Sequence, residues 1–210
     1  MKKILITVIA ILLTCNLTFA DESEKILTKV QKKYETIKDV TAVFTQNITF
    51  GVSKMEQSFH GTLTMKKGNR YRIEMEQQTI VTDGKTVWSY SHPNNQVIID
   101  KYKEDPKSFS PDRVLINVPK NYNTIFLGNE NLFGKKTAVI KLTPKESKSL
   151  VKSMKVWIDL KDHLMRKIEI IDVSDNINLY LINSIKLNTG VSDILFKFEI
   201  PEGTDTVDLR

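Results

Sequence analysis

Side chains that carry catalysis or bind metals are sparse and scattered in this sequence of 210 residues. Its three histidines lie in an alternating stretch (His60), before a proline (His92) and in a Lys-Asp turn (His163), with no metal-ligand spacing around them. The sequence contains no nucleophile elbow, phosphate-binding glycine loop or HExxH motif. We therefore expect no catalytic residue and no metal site, and a binding protein is favoured over an enzyme.

Composition and charge indicate which kinds of partner this binding protein can have. The chain has 31 basic and 25 acidic residues, a formal net charge of +6, and 40% apolar residues. The basic residues are spread along the chain, unlike the clustered footprint of a nucleic-acid-binding protein. Nucleic acid is therefore not an expected partner, and the length suits one globular domain.

The first twenty residues have the layout of a cleavable secretory signal. Lys2 and Lys3 precede the apolar run Ile4–Leu13, and Thr18–Ala20 form a small-residue cleavage site. We expect a signal peptide at residues 1–20, a single mature domain at residues 21–210, and work outside the cytoplasm. In the alternative, Cys15 is lipidated as in a lipoprotein signal, which would anchor the chain to a membrane.

Two helices and a series of hairpins are predicted to position the remaining residues. Ile26, Val30, Tyr34 and Ile37 fall on one face of an amphipathic helix. About eleven strands follow with an apolar period of two, the last of them at Ile194–Ile200. Ser110-Pro111-Asp112 begins an inserted short apolar helix. The sequence predicts one strongly curved antiparallel sheet, a barrel or a partly open one, with the helices on its concave side.

Large, pliable apolar side chains recur at alternate positions of the predicted strands. They either form a plain core or line a cavity for an apolar ligand, because so large a curved sheet encloses more volume than side chains readily fill. The candidate lining residues are Phe44, Ile48, Phe59, Leu63, Met65, Tyr71, Ile73, Met75, Trp88 and Tyr90 of the strands, with Val114 and Leu115 of the inserted helix.

Four short motifs, in the same order along the chain, resemble a known family. They are VFTQ at 43–46, DGKTVWSY at 83–90, LTP at 142–144 and FKFEIPEG at 196–203. Together with the signal peptide, they are similar to the periplasmic outer-membrane lipoprotein carrier family, LolA. The resemblance implies an incomplete antiparallel barrel whose concave apolar face is covered by helices. It also implies a monomeric periplasmic carrier without a cofactor, which takes triacylated lipoproteins from an inner-membrane ABC lipoprotein-releasing complex to an outer-membrane receptor.

The chain departs from this family at one position that the resemblance marks as functional. Members use a basic residue in the turn between the second and third strands, usually an arginine followed by proline, to hold the helical lid shut. Here Lys67 and Gly68 stand at those positions. Since an ammonium group cannot reproduce the planar fork of a guanidinium, we expect a weaker latch at Lys67, or one in which Lys66 or Arg70 substitutes.

Other functions are compatible with the same pattern. A membrane-anchored receptor of the same fold would carry lipid on Cys15, and a sensor of stray lipoproteins would bring an additional domain. A lipid hydrolase is the enzymatic alternative, and ester turnover abolished by a point mutation would identify it.

Overall fold

A computed structural model describes residues 22–103, 121–146 and 149–210. Residues 22–35 form the helix α1. Twelve strands follow in chain order: β1 Asp39–Thr49, β2 Glu56–Lys66, β3 Arg70–Met75, β4 Gln78–Asp83, β5 Thr86–Ser91, β6 Gln96–Lys101, β7 Tyr122–Leu132, β8 Lys135–Pro144, β9 Val151–Asp159, β10 Met165–Asp172, β11 Ile177–Leu187 and β12 Asp205–Asp208. A short 3-10 helix at Asp193–Phe196 separates β11 from β12.

The chain divides into two compact units. The first unit holds α1 and the strands in the order β10-β9-β8-β7. The second unit holds the 3-10 helix and the strands in the order β12-β6-β5-β4-β3-β2-β1-β11. All recorded pairings are antiparallel except that of β12 with β6, which is parallel. The predicted class, an antiparallel sheet of the incomplete-barrel type with a minor helical part, is confirmed.

The core of the first unit lies between α1 and one face of its strands. Pairing aligns three rows of apolar residues on that face: Leu142–Met154–Ile170, Ile140–Val156–Ile168 and Ala138–Ile158–Met165. On α1, Ile26, Leu27 and Val30 are buried. Ser23 Oγ lies 2.8 Å from Thr124 Oγ1 of β7, which joins the start of α1 to the strands. The predicted amphipathic helix is confirmed for Ile26, Val30 and Tyr34, whose apolar stripe belongs to this core. Ile37 was predicted on the same face, but it lies beyond the end of α1 at residue 35.

The second unit is a run of hairpins completed by a long-range pair. β1 pairs with β2 on one side and with β11, more than 130 residues later in the chain, on the other. The short turns Lys67–Asn69 and Gly84–Lys85 connect β2 to β3 and β4 to β5. Positive φ angles at Gly68 (85°), Asn69 (58°) and Gly84 (91°) allow these turns to be tight.

Three strand assignments differ from the sequence prediction. The strand predicted at Ile194–Ile200 is wrong, because the 3-10 helix Asp193–Phe196 occupies its start and only Phe196 is buried in it. β4 is not recognised from the sequence as a separate strand because its apolar residues fall on both faces. β12 escapes the prediction because its four residues, DTVD, are all exposed and lack apolar alternation.

Several predictions fall outside the described residues. They are the signal peptide and the role of Cys15, and the inserted helix with its candidate lining residues Val114 and Leu115. In the part of the chain that is described, no helix combines the length and the hydropathy needed to cross a bilayer.

Candidate apolar binding face

Strand register brings eight of the candidate lining residues onto one face of the second unit. Directly paired residues of neighbouring strands share a face, and alternate residues of one strand return to it. Ala42 pairs with Leu63, which pairs with Ile73, and Val40 pairs with Met65, which pairs with Tyr71. We name this surface the apolar face. Its predicted members are Phe44, Ile48, Phe59, Leu63, Met65, Tyr71, Ile73 and Met75.

Register places the remaining two candidates, Trp88 and Tyr90, on the opposite face. Ile73 pairs with Ile80 and Ile80 with Ser89, so Ser89 lies on the apolar face and its two neighbours point the other way. There the Tyr90 ring lies 5.8 Å from that of Phe198, on the segment after the 3-10 helix. The sequence could not decide this point, because alternation within β5 does not say which alternate set faces the apolar side of β3.

Further residues that were not predicted also lie on the apolar face. Besides Val40 and Ala42 of β1, they include Ile80 of β4 and Tyr180, Ile182, Ile185 and Leu187 of β11. In β11 both alternate sets are apolar, and a bulge changes the set that shares the face with β1. Val43 pairs with Ser184 but Phe44 pairs with Ile182, so Asn183 has no counterpart in β1. The sequence alternation carries no sign of that bulge.

Phe44 lies at the centre of the apolar face and is buried. Its ring centroid is 6.3 Å from that of Tyr180, at an interplanar angle of 54°. Phe44 pairs with Gly61, and a methyl group at Gly61 would come within 2.6 Å of Phe44 Cζ and 2.9 Å of Met75 Cγ. The missing side chain at Gly61 therefore provides the space that the Phe44 ring occupies.

The polar groups of this face are neutral and hydrogen-bonded. Gln46 Nε2 donates to Tyr180 Oη at 3.0 Å and to Asn178 Oδ1 at 3.2 Å. Burial raises the pKa of Tyr180 to about 12, so the phenol remains uncharged at physiological pH. From β11 through β1, β2 and β3 to β4, these described strands place no Asp, Glu, Lys, Arg or His on the apolar face.

The opposite face of the same strands carries charge. It holds Lys66, Arg72 and Glu74, and Arg72 Nε lies 2.8 Å from Glu74 Oε1. At β2 and β3 the two faces therefore differ in chemistry, with charged side chains on one and apolar, neutral side chains on the other. At β4 the opposite face carries Val81, which is 0% exposed.

Except at the buried residues Val40, Ala42 and Phe44, the apolar face is only half-buried, unlike the core of the first unit. Leu63, Ile73 and Ile80 have intermediate exposure, whereas Ile140 and Val156 of the first unit are 0% exposed. An apolar side chain that retains solvent exposure still gains free energy when a ligand covers it. This arrangement can hold a hydrocarbon ligand by contact alone.

The turn that contains Lys67 lies beside the C-terminal segment of the second unit. Lys66 Nζ is hydrogen-bonded to Asp193 Oδ1, and Arg70 Nη1 lies 3.0 Å from the same oxygen. The Arg70 guanidinium also lies over the Phe196 ring, 5.8 Å from its centroid. The hydrogen bond from Lys66, together with the charge of Arg70, holds the pKa of Asp193 below its usual range. Lys66 and Arg70 are thus engaged by Asp193, and Lys67 is exposed.

The histidines do not assemble a site. His60 Nδ1 lies 3.1 Å from Thr45 Oγ1, and His92 Nε2 lies 2.9 Å from Thr79 Oγ1, while His163 occupies a turn with φ of 59°. Among the described residues, no three His, Cys, Asp or Glu side chains lie close enough to hold a metal ion.

Comparison with known sequences points to one family. The family model described as "Outer membrane lipoprotein carrier protein LolA" matches residues 35–199. An outer-membrane lipoprotein carrier protein of Histophilus somni (strain 2336) is 28% identical over 215 residues, which cover 100% of this chain and 99% of that protein. One from Francisella tularensis subsp. tularensis (strain WY96-3418) is 25% identical over 99% of this chain and 98% of its own length.

Solved structures share the fold. An uncharacterized conserved protein from Thermus thermophilus superimposes with a TM-score of 0.60 at 14% identity, covering 89% of this chain and 99% of that one. LprF from Mycobacterium bovis gives a TM-score of 0.50 at 14% identity, with the same coverage of 89% and 99%. At these identities the likeness establishes the fold alone.

Proposed function

Because this chain belongs to the LolA family of outer membrane lipoprotein carrier proteins, whose model matches residues 35–199, we propose that it carries lipoproteins by binding their acyl chains on the apolar face. Its place of work is the periplasm, reached through the signal peptide at residues 1–20. The carrier acts as a monomer and makes or breaks no covalent bond.

The half-buried, uncharged apolar face is the observation that carries this proposal. Hydrocarbon recognition requires apolar contact area and no ionised groups, since an unpaired charge beside an acyl chain would lose its hydration. Met65 and Met75 suit a surface that must fit chains of different shape, because the methionine side chain is unbranched and flexible. We assign the binding site to the eight predicted residues with Ile80, Tyr180, Ile182 and Ile185, and leave Trp88 and Tyr90 out of it.

The free energy of removing acyl chains from a bilayer determines how such a carrier must be loaded. Each buried CH₂ is worth about 0.8 kcal/mol, so three membrane-embedded acyl chains are held by some tens of kcal/mol. Non-covalent affinity does not reach that range, so the carrier cannot extract its cargo from a bilayer unaided. We propose that an inner-membrane ABC complex delivers triacylated lipoproteins to the carrier. An outer-membrane receptor then takes the lipoprotein from the carrier. Because the receptor binds the lipoprotein more tightly than the carrier does, transport proceeds toward the outer membrane.

One pair of variants tests the site with a matched control. Leu63→Lys and Thr62→Lys introduce the same charge one residue apart on β2, on opposite faces of the sheet. Leu63 pairs with Ala42 and Ile73, whereas Thr62 pairs with Val43 and Glu74. We expect Leu63→Lys to weaken binding of a synthetic triacylated lipopeptide by at least about tenfold, because contact area is lost and an ammonium group is desolvated. Thr62→Lys should bind like the wild type.

Binding is measured by fluorescence titration with a labelled lipopeptide, and folding of each variant by circular dichroism. Wild-type affinity in a folded Leu63→Lys protein would contradict the proposed site. Equal losses in the two variants would show that the added charge acts without regard to the face.

A further inference from the structure

The hairpin that joins β7 to β8 ends in an exposed phenylalanine. Leu132 pairs with Lys135, so Phe133 and Gly134 form a two-residue turn. Both have positive φ angles, 51° and 75°, and the Phe133 side chain is 72% exposed. Lys135 and Lys136 follow directly. We name this group, together with Lys161, the Phe133 tip.

Stability of the fold does not account for phenylalanine at this position. Left-handed backbone conformation is unfavourable for a bulky side chain, and two-residue hairpins of this kind favour Asn-Gly. Five of the seven described non-glycine residues with positive φ are indeed Asn, Asp or His: Asn69, Asn95, His163, Asp175 and Asn188. The exposed ring of Phe133 also buries little apolar area in return. A residue whose backbone conformation is unfavourable for its type, and which adds no stability to the fold, is expected at a functional surface.

Most of the exposed charges around Phe133 are positive: Lys135, Lys136 and Lys161 are exposed, with Glu130 of β7 as the exposed carboxylate among them. The amide of Leu160 donates to the Lys136 carbonyl at 3.1 Å, which brings the turn carrying Lys161 beside the hairpin. Lys136 and Lys161 are both exposed.

The acidic groups nearby are engaged within the fold. Asp159 is 2% exposed and accepts from Lys135 Nζ at 3.0 Å, and Glu130 Oε2 accepts from Trp157 Nε1 at 2.7 Å. Asp162 pairs with Arg166. At this end of the first unit the Phe133 ring therefore lies beside exposed lysines that outnumber the exposed carboxylates.

We propose that the Phe133 tip docks the carrier on the surface of an anionic phospholipid bilayer. An aromatic ring on a rigid hairpin can insert at the level of the headgroups, and lysines beside it attract acidic lipids. The apolar ring and the positive charges of the lysines together complement the apolar interior and the acidic headgroups of an anionic bilayer. The tip lies in the first unit and shares no residue with the apolar face, so this inference does not depend on acyl-chain binding.

Vesicle co-sedimentation of the mature chain tests the proposal. The vesicles contain phosphatidylethanolamine with phosphatidylglycerol, and a second set contains phosphatidylcholine alone. Phe133→Asn should lower the partition coefficient on anionic vesicles by about tenfold, since the ring no longer inserts. Lys136→Gln and Lys161→Gln should each lower it by about fivefold, on anionic vesicles only. Asparagine is compatible with a positive φ, so the melting temperature of Phe133→Asn should equal or exceed that of the wild type.

Val52→Asn is the matched control. Val52 lies in the loop between β1 and β2 and is 95% exposed, so this change also removes an exposed apolar side chain. We expect wild-type vesicle binding from it. Unchanged binding by Phe133→Asn, an equal loss in Val52→Asn, or equal binding to both vesicle types would overturn the proposal. So would attachment that requires protein-containing membranes, because the tip would then recognise a protein. The lipopeptide titration is a separate readout, so a failure here leaves the proposed carrier function standing.

Discussion

Gly61 shows how a single position shapes the apolar face. A strand interior seldom favours glycine, because it adds conformational freedom to the unfolded chain and contributes no side chain to pack. Here the Phe44 ring lies where a side chain at Gly61 would project, and Glu74 O and Met75 Cγ would each be 2.9 Å from the added methyl group. The large aromatic side chain on β1 and the absence of a side chain on β2 are therefore complementary.

Gly61→Ala should displace the Phe44 ring and destabilise the second unit by about 1–3 kcal/mol, the usual range for overpacking a well-filled site. Urea unfolding followed by circular dichroism measures the change. Thr62→Ala, on the opposite face of the same strand, is the control and should stay within about 0.5 kcal/mol of the wild type. Equal stability of Gly61→Ala and wild type would mean that Phe44 moves aside freely.

The long-range pairing of β1 with β11 depends on a carboxylate at its end. Asp39, the first residue of β1, is buried and accepts hydrogen bonds from the Thr189 amide at 2.7 Å, the Thr189 hydroxyl at 3.1 Å and the Gly190 amide at 3.1 Å. Burial raises the pKa of the Asp39 carboxyl, but these donors outweigh it and hold the pKa below its ordinary value. The ionised carboxylate thus joins the start of β1 to the turn after β11.

The lowered pKa of Asp39 predicts acid sensitivity. Its folded pKa lies below its unfolded pKa, so the stabilisation is fully present above the unfolded value and is lost as pH falls through the folded value. Asp39→Asn should lower the free energy of unfolding at pH 7 and flatten its decline between about pH 5 and pH 2. Thr189→Ala removes one donor and should shift that decline to higher pH. Identical pH profiles of wild type and Asp39→Asn in urea unfolding would contradict this role.

Across the whole molecule, the apolar faces of the two units differ in their exposure to solvent. In the first unit α1 supplies buried side chains such as Leu27 and Val30, and the strand rows beneath it are fully buried. In the second unit the apolar face keeps intermediate exposure at Leu63, Ile73 and Ile80. The apolar face of the second unit is therefore the more accessible of the two, although this unit also has buried apolar residues such as Val81, Val97 and Phe196.

Lys67 remains the candidate latch for the release of cargo, by resemblance to the family arginine. Lys67→Leu should accept lipoprotein from the inner-membrane complex normally and pass it to the receptor about tenfold more slowly, because an apolar side chain cannot hydrogen-bond to backbone carbonyls. Lys67→Arg should transfer at least as fast as the wild type, since guanidinium restores the planar donor group. Acceptance and transfer are measured separately with inner-membrane vesicles and purified receptor. Normal transfer by Lys67→Leu would remove the assignment.

The amino-acid sequence by itself determined most of the strands and the alternating pattern within them, although not β4 or β12. The strand period of two grouped Leu63 with Met65 and Tyr71 with Ile73, and the spacing of four placed Ile26, Val30 and Tyr34 on one helical face. These patterns are local, so they could be recognised without the fold. The four short motifs supplied the family, which no periodicity could have done.

Only the tertiary structure decided which alternate sets share a face. Within one strand the period of two defines two sets, but the turn lengths and bulges between strands decide how those sets align. The register from Ile73 through Ile80 to Ser89 therefore moved Trp88 and Tyr90 off the apolar face, and the bulge at Asn183 brought Tyr180 and Ile182 onto it. The alignment of β1 with β11 joins segments far apart in the chain, and that of β3, β4 and β5 depends on the conformation of their turns. For that reason the period of two alone could not supply either.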